Sequence, residues 1–315
     1  MKQLKVVLPI VGFVAVCIFI FSSIDLHALK NSLLSADPKW LALAFGITLL
    51  QPFLTSVRLQ SYLLAGNLPK PYTRCLKAVL AALSLNAVLP AKGGDLVKVT
   101  FLQDSPKELA PLAGIALMER VLDILVLCLL ALAGSIYIGN TTTTWLAAFA
   151  LCAPISALLL LGQADKVPII GKKLLRLAAA CRTAWKQPLL VGRGCLLAII
   201  CWSTNLAVMF CLLRSVGAAV RIAEVAAVTP LAIFVGLLPV SISGMGTRDA
   251  ALVHLLTGTT KEVTYAGTFL YTAAVYWFLA LIGLAFLGKE TLRVIMVHTQ
   301  QNQGALKKTP PVINT

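Results

Sequence analysis

Apolar stretches long enough to cross a bilayer recur along this chain, and the charges between them are mostly positive. A helix needs about 20 such residues to span a hydrocarbon core roughly 30 Å thick. No soluble core can bury so many. Of 315 residues, 59% are hydrophobic and 12% charged, against about 25% charged in soluble domains, and the mean hydropathy is +0.89. The chain therefore reads as an all-α polytopic membrane protein. Its net charge of +15 does not indicate nucleic acid. The cations cluster between apolar runs, as cytoplasmic loops require, and no aromatic side chains interleave with them for bases to stack on.

Charge placement orders the spans. Lys2 and Lys5 precede a first helix over about Leu4–Ile24, which lacks a small-residue cleavage signal and reads as uncleaved. A second helix runs from Trp40 to about Leu64, interrupted at Gln51-Pro52 and carrying Arg58. A third covers Leu112–Ile138 and a fourth Trp145–Gly162. The loop from Gln163 to Arg193 holds the densest cations and is expected inside. A fifth helix starts near Gly194 and a sixth covers Thr264–Gly288.

Two further apolar stretches are too short to span. Ala78–Pro90 and Val225–Pro239 each stop at a proline, which lacks a backbone donor and breaks or kinks a helix. The first continues through Gly93, Gly94 and Asp95 to Lys98, the second through Ser243, Gly244 and Gly246 to Arg248 and Asp249. Each is expected to be a re-entrant or broken helical hairpin, with Asp95 and Thr247 as helix N-caps. The positive-inside assignment opens the first hairpin to the cytoplasm and the second to the outside. Gly66 to Pro90 is 24 positions and Gly217 to Pro239 is 22. The reading is thus about six spanning helices plus two hairpins in an inverted-topology repeat, with halves of about 40–138 and 194–288. Residues 1–288 form one membrane domain and 289–315 a cytoplasmic polar tail. Such repeats place a binding site near mid-bilayer, where half-helix ends meet.

The third helix carries Glu119, Arg120 and Asp123 inside an apolar run. Ionisable groups cost a few kcal/mol each near the bilayer centre and are retained for a partner or a substrate. Glu119 and Asp123 share a face, and Arg120 and Asp123 are spaced to pair. The carboxylates either neutralise arginines of neighbouring segments, such as Arg58, or form an anion or proton site; both readings can hold together. Arg58, Asn86, Lys98, Glu119, Arg120, Asp123 and Arg248 are the candidate substrate-binding residues. Pro90, Gly93, Gly94, Asp95, Pro239, Ser243, Gly244, Gly246 and Asp249 are the candidate hairpin-tip residues. The free amides and positive ends of short helices suit a phosphate or carboxylate.

No catalytic set is indicated. The Ser241–Gly244 stretch lacks the leading glycine of a nucleophile elbow, and His254 on an apolar helix reads as a packed histidine. The eight cysteines contain no CxxC pair and only three histidines accompany them, so no metal or other cofactor is expected.

Three stretches together, Asn86-x-x-x-Pro90-x-x-Gly93-Gly94-Asp95-x-x-Lys98, Glu119-Arg120-x-x-Asp123 and Pro239-x-Ser241-x-Ser243-Gly244-x-Gly246-x-Arg248-Asp249, resemble a known family. It is the flippase-like transmembrane domain of lysylphosphatidylglycerol synthases, found also as stand-alone bacterial and archaeal membrane proteins. The family often has Glu where Asp95 and Asp249 stand, and Arg where Lys98 stands. The polar stretch after Gly288 is too short for the soluble aminoacyl-transferase of the bifunctional relatives. The resemblance implies movement of a charged-headgroup lipid between leaflets, or service to envelope glycolipid assembly, in the cytoplasmic membrane of a prokaryote with both termini inside. The partners implied are anionic or polyprenyl-phosphate lipids, with envelope glycosyltransferases as candidates. The alternatives are a membrane-embedded enzyme or subunit of a glycolipid transferase, and an ion-coupled carrier of small solutes.

Overall fold

A computed structural model describes residues 25–87, 94–162, 172–236 and 244–286. The expected first helix, the polar tail and the tip residues Pro90, Gly93, Pro239 and Ser243 lie outside the described residues. Every regular element among the described residues is a helix. The protein is an all-α polytopic membrane protein, and among the described residues four helices are long and apolar enough to cross a bilayer: Pro38–Ala65, Thr141–Leu161, Pro188–Ser215 and Lys261–Phe286.

Helix α1 (Leu26–Leu34) is capped by Asp25, whose carboxylate accepts from the His27 and Ala28 amides at 2.8 and 3.3 Å. Asp37 caps α2 (Pro38–Thr48) in the same way. Helix α3 (Gln51–Ala65) follows after a two-residue break. Pro52 has no N–H to give the Thr48 carbonyl, so the interruption falls where the sequence placed it. Helices α4 (Tyr72–Asn86) and α5 (Gly94–Leu102) form the first hairpin. Helix α6 (Leu109–Tyr137), 29 residues long, carries Glu119, Arg120 and Asp123. Helix α7 is Thr141–Gly162.

Two boundaries in the basic loop need correction. Residues expected as loop contain a further helix, α8 (Lys172–Trp185), with Ala178, Cys181 and Ala184 buried along one face. It fits closely because Gly114 of α6 has no side chain: a Cβ there would collide with the Leu177 backbone. Helix α9 (Pro188–Ser215) starts six residues before Gly194, with Pro188 at its first position, where a missing donor costs nothing. Arg193 is therefore an exposed residue of α9 rather than of a loop.

The second hairpin is α10 (Ile222–Gly236) and α11 (Thr247–Leu255). The N-cap of α11 is Gly246 (φ +89°) and not Thr247, which is the first helical residue. Asp249, one turn in, closes the end by accepting from the Gly246 amide at 3.0 Å. His254 is exposed rather than packed. Helix α12 (Lys261–Thr272) passes into a π-helical turn at Ala273–Phe278 and continues to Phe286.

The two hairpins have matching dimensions. Each has a first helix of 15 residues and a second of nine. Fifteen residues rise about 22 Å, too little for the hydrocarbon core. Each is preceded by the same helix ending. The Leu68 amide bonds the Leu63 carbonyl at 2.9 Å past Asn67 (φ +55°), and the Ala218 amide bonds the Leu213 carbonyl at 3.0 Å past Gly217 (φ +85°). This left-handed termination satisfies the last carbonyls and turns the chain.

Packing divides into two main clusters. Leu59, Tyr62, Leu63, Leu112, Ile115 and Met118 centre the first. Met209, Leu212, Leu213, Val225, Val228 and Leu252 centre the second. Between helices in lipid, close approach of small residues replaces hydrophobic burial as the main source of association. The first helix of each hairpin packs on a long helix of the other half: α10 on α6, and α4 on the last helix. Glycines make the seats. A Cβ at Gly134 would lie 2.7 Å from the Ala227 nitrogen, and one at Gly283 would lie 2.5 Å from the Leu80 carbonyl oxygen.

Candidate functional site

Five segments converge on a cavity of about 120 Å³. Gln51, Thr55 and Arg58 reach it from α3, and Asn86, Asp95 and Lys98 from the first hairpin. Glu119, Arg120 and Asp123 come from α6, Trp202 and Asn205 from α9, and Tyr276 from the π-helical turn. Along α6, Glu119 lies about 15 Å and Asp123 about 21 Å from Leu109. The charges therefore sit near the middle of the 29-residue α6.

Arg58 is 6% exposed and divides its guanidinium between two carboxylates. Its Nη2 meets Glu119 Oε1 at 2.8 Å and its Nη1 meets Asp123 Oδ1 at 2.6 Å. The second oxygen of Glu119 takes the Lys98 ammonium at 2.5 Å. The Trp202 indole donates to Asp123 at 3.3 Å. Arg120 pairs with Asp95, and the Asn86 amide donates to the other oxygen of Asp95 at 3.2 Å. The expected Arg120–Asp123 pairing along the helix is replaced by these contacts across helices. Glu119 and Asp123 share Arg58 of α3, and Arg120 finds Asp95 of α5.

The arrangement is balanced. Arg58, Lys98 and Arg120 stand against Asp95, Glu119 and Asp123 among the described cavity residues. Charges removed from water persist when paired and hydrogen-bonded, so a deeply buried member such as Glu119 cannot change partner without another being served. The proposed role of Glu119 and Asp123 as counter-charges to an arginine from another segment is what the structure contains.

Gly94 allows the first hairpin to close: a Cβ there would lie 2.8 Å from the Asn86 nitrogen. The other end of α5 is clamped outside the membrane. Arg74 donates to the Phe101 and Gln103 carbonyls, both at 2.8 Å, and pairs with Asp104. Lys70, itself buried, meets Asp104 at 2.5 Å and Glu108 at 2.9 Å. Hydrogen bonds from Lys70 and Arg74 hold the Asp104 carboxyl below its ordinary range. The Asp104 amide and Lys70 do the same for Glu108. Burial works against the Lys70 charge, yet these two carboxylates hold its ammonium above the usual lysine value.

The second hairpin is built differently. Arg248 is 1% exposed and is not among the cavity-lining residues. Its guanidinium bonds the neighbouring Asp249 at 2.6 and 2.9 Å and the Thr272 hydroxyl at 2.6 Å. It lies 4.8 Å from the ring centre of Tyr271 and 5.8 Å from that of Tyr276, within cation–π range. Tyr276 therefore separates Arg248 from the cavity. Gly236 and Gly244 (φ +74°) close this hairpin beside the Arg248 backbone. Of the candidate binding residues, Arg58, Asn86, Lys98, Glu119, Arg120 and Asp123 meet at the cavity and Arg248 does not.

Uncharged lining residues escaped the sequence reading. Gln51 donates to the Thr204 hydroxyl at 2.8 Å and the Cys201 carbonyl at 3.2 Å, tying α3 to α9. Asn205 accepts from the Tyr271 hydroxyl. Trp202 and Asn205, three apart within an apolar run, were the available signal: polar groups sharing one face of a spanning helix.

No curated protein matches the chain. Its residues 6–283 match the family described as the lysylphosphatidylglycerol synthase TM region. A polytopic helical chain matched over nearly its whole length belongs to that family.

Proposed function

We propose that the protein moves a lipid with a charged, phosphate-type headgroup, or a polyprenyl-linked glycolipid, between the leaflets of a prokaryotic cytoplasmic membrane. One observation carries this reading: six charged side chains line a single cavity beside the middle of the long apolar helix α6. A bilayer protein keeps such charges for a pathway or a substrate. The family supports a lipid role, since it is the transmembrane region of lysylphosphatidylglycerol synthases. The matching hairpins support an inverted-topology repeat, the architecture in which half-helices frame a central site. Positive-inside bias then puts both termini and the basic segment around α8 in the cytoplasm, within one membrane domain over residues 1–288. Envelope glycosyltransferases are the proposed protein partners.

Acid–base catalysis fits the site less well. Both oxygens of Glu119 are engaged by cations, and Asp123 is bonded by Arg58 and Trp202. The test is reconstitution in liposomes with fluorescent phosphatidylglycerol, phosphatidylethanolamine and polyprenyl phosphate, followed by quenching of the outer leaflet. Leaflet exchange above that of empty vesicles is expected for at least one probe. Exchange no faster than in empty vesicles across the whole panel would overturn the reading.

A further inference from the structure

The ion pairs at the cavity are not alike. The side chains of Arg58 and Glu119 are 7% and 1% exposed, those of Arg58 and Asp123 7% each, and those of Lys98 and Glu119 6% and 1%. Arg120 and Asp95 are 27% and 21% exposed. Three pairs are sealed and one opens on the cavity. A buried pair resists exchange because its partner would be left charged in a low dielectric. The more open pair carries less of that penalty, because both of its side chains reach the cavity.

The open pair also joins particular elements. Asp95 is the second residue of α5, and Arg120 is on α6. One turn further on, Lys98 fixes α5 to Glu119, and beyond that Arg74 and Lys70 clamp its C-terminal end. Helix α5 is thus pinned along its length, with only its first turn held by an exchangeable contact.

We propose that the Asp95–Arg120 pair is a ligand-exchanged latch: a phosphate oxyanion in the cavity takes the Arg120 guanidinium from Asp95. This releases the first turn of α5 from α6 and leaves it on the Asn86 amide of α4, so that it can pivot about Lys98. The inference rests on the transport reading and deepens it by assigning unequal roles. Arg120 receives the phosphate, Asp95 is its resting surrogate, and the Arg58–Glu119–Lys98–Asp123 network is the fixed frame. The planar guanidinium fork matches two phosphate oxygens as it matches a carboxylate. Amides at the start of the nine-residue α5 add donors on the same side.

The latch predicts opposite effects from its two halves. The purified full chain in maltoside micelles would be titrated with dioctanoyl phosphatidic acid and, separately, with inorganic phosphate. Asp95→Asn removes the competitor and should tighten binding at least tenfold. Arg120→Gln removes the receptor and should weaken it at least tenfold. Parallel losses, or no change in either variant, would overturn the latch. Tighter binding of inorganic phosphate alone identifies a free anion as the occupant, and of the short-chain lipid alone a headgroup with its tails; either supports the exchange. If Asp95→Asn does not give monodisperse protein, Asp95→Asn with Arg120→Gln leaves no orphan charge and should fold without binding. Wild-type affinity in that double variant also refutes the proposal. Opposite shifts without leaflet exchange in liposomes would retain the latch and reject transport, whereas leaflet exchange without opposite shifts would reject only the latch.

Discussion

Replacing Arg58 tests whether the sealed network is held by mutual neutralisation. Arg58 makes contacts of 2.8 and 2.6 Å to Glu119 and Asp123. At an effective dielectric near 20, the gross attraction at such distances is on the order of 6 kcal/mol per pair. Desolvation of the ions, several kcal/mol each, offsets most of it. What truncation reads is the orphaned charge. After Arg58→Met, Glu119 keeps Lys98, whereas among the described contacts Asp123 keeps the Trp202 indole as its hydrogen-bond donor and no cation within salt-bridge distance. The expected loss is about 3–5 kcal/mol, the range for breaking a buried pair from one side. Arg58→Met with Asp123→Leu removes that orphan and should recover at least about 2 kcal/mol of it. Arg58→Met with Glu119→Leu should recover less, because it strands Lys98 as well as Asp123. The measurement is an unfolding titration of purified variants in mixed micelles, analysed as double-mutant cycles. A coupling between positions 58 and 123 within about 0.5 kcal/mol of zero is simple additivity, and it would refute the charge-balance reasoning.

Three further outcomes are expected. Arg248→Ala should destabilise the protein by about 3–5 kcal/mol in the same titration, since it leaves the buried Asp249 without its cation. The clamp outside the membrane sets a pH window. Asp104 and Glu108 have lowered folded-state values, so their contribution is present above the ordinary carboxylate range and lost as acid titrates them. The raised Lys70 contributes fully below the ordinary lysine value of 10.5 and loses its contribution as pH rises through the folded value. Stability should thus be flat from about pH 5 to 9 and fall in acid, with a smaller acid loss in Asp104→Asn. Finally, in a protein stripped of native cysteines, Thr142→Cys should label from outside intact cells and Gln163→Cys should not. The reverse pattern would invert every assignment after α6.

Much of this was legible in the sequence because bilayers make charge conspicuous. Glu119, Arg120 and Asp123 stood out within an apolar run, and Pro52 marked its helix break. The proline and glycine stops bounded two helices too short to span. What escaped has physical reasons. Helix α8 hides among cations, and its packing depends on Gly114 being small, which no periodicity reports. Arg120 and Asp123 have pairing spacing, but spacing fixes only that two residues share a face, not that a better partner faces one of them. Nothing in the sequence distinguishes Lys98, tied to another helix, from Arg248, neutralised by its neighbour Asp249 and walled off by Tyr276.

The glycine seats at Gly134 and Gly283 bear on how such a protein can move and be made. Helix α10 is seated on α6 and α4 on the last helix, so the early and late parts of the chain are clasped like folded hands. A clamshell motion would unseat both helices at once. Movement is thereby confined to pieces smaller than a half, such as a helix turn or a hairpin tip. During synthesis, α6 is complete before α10 exists to cover its Gly134 face. The two glycine seats can both be filled only once the last helix has been made.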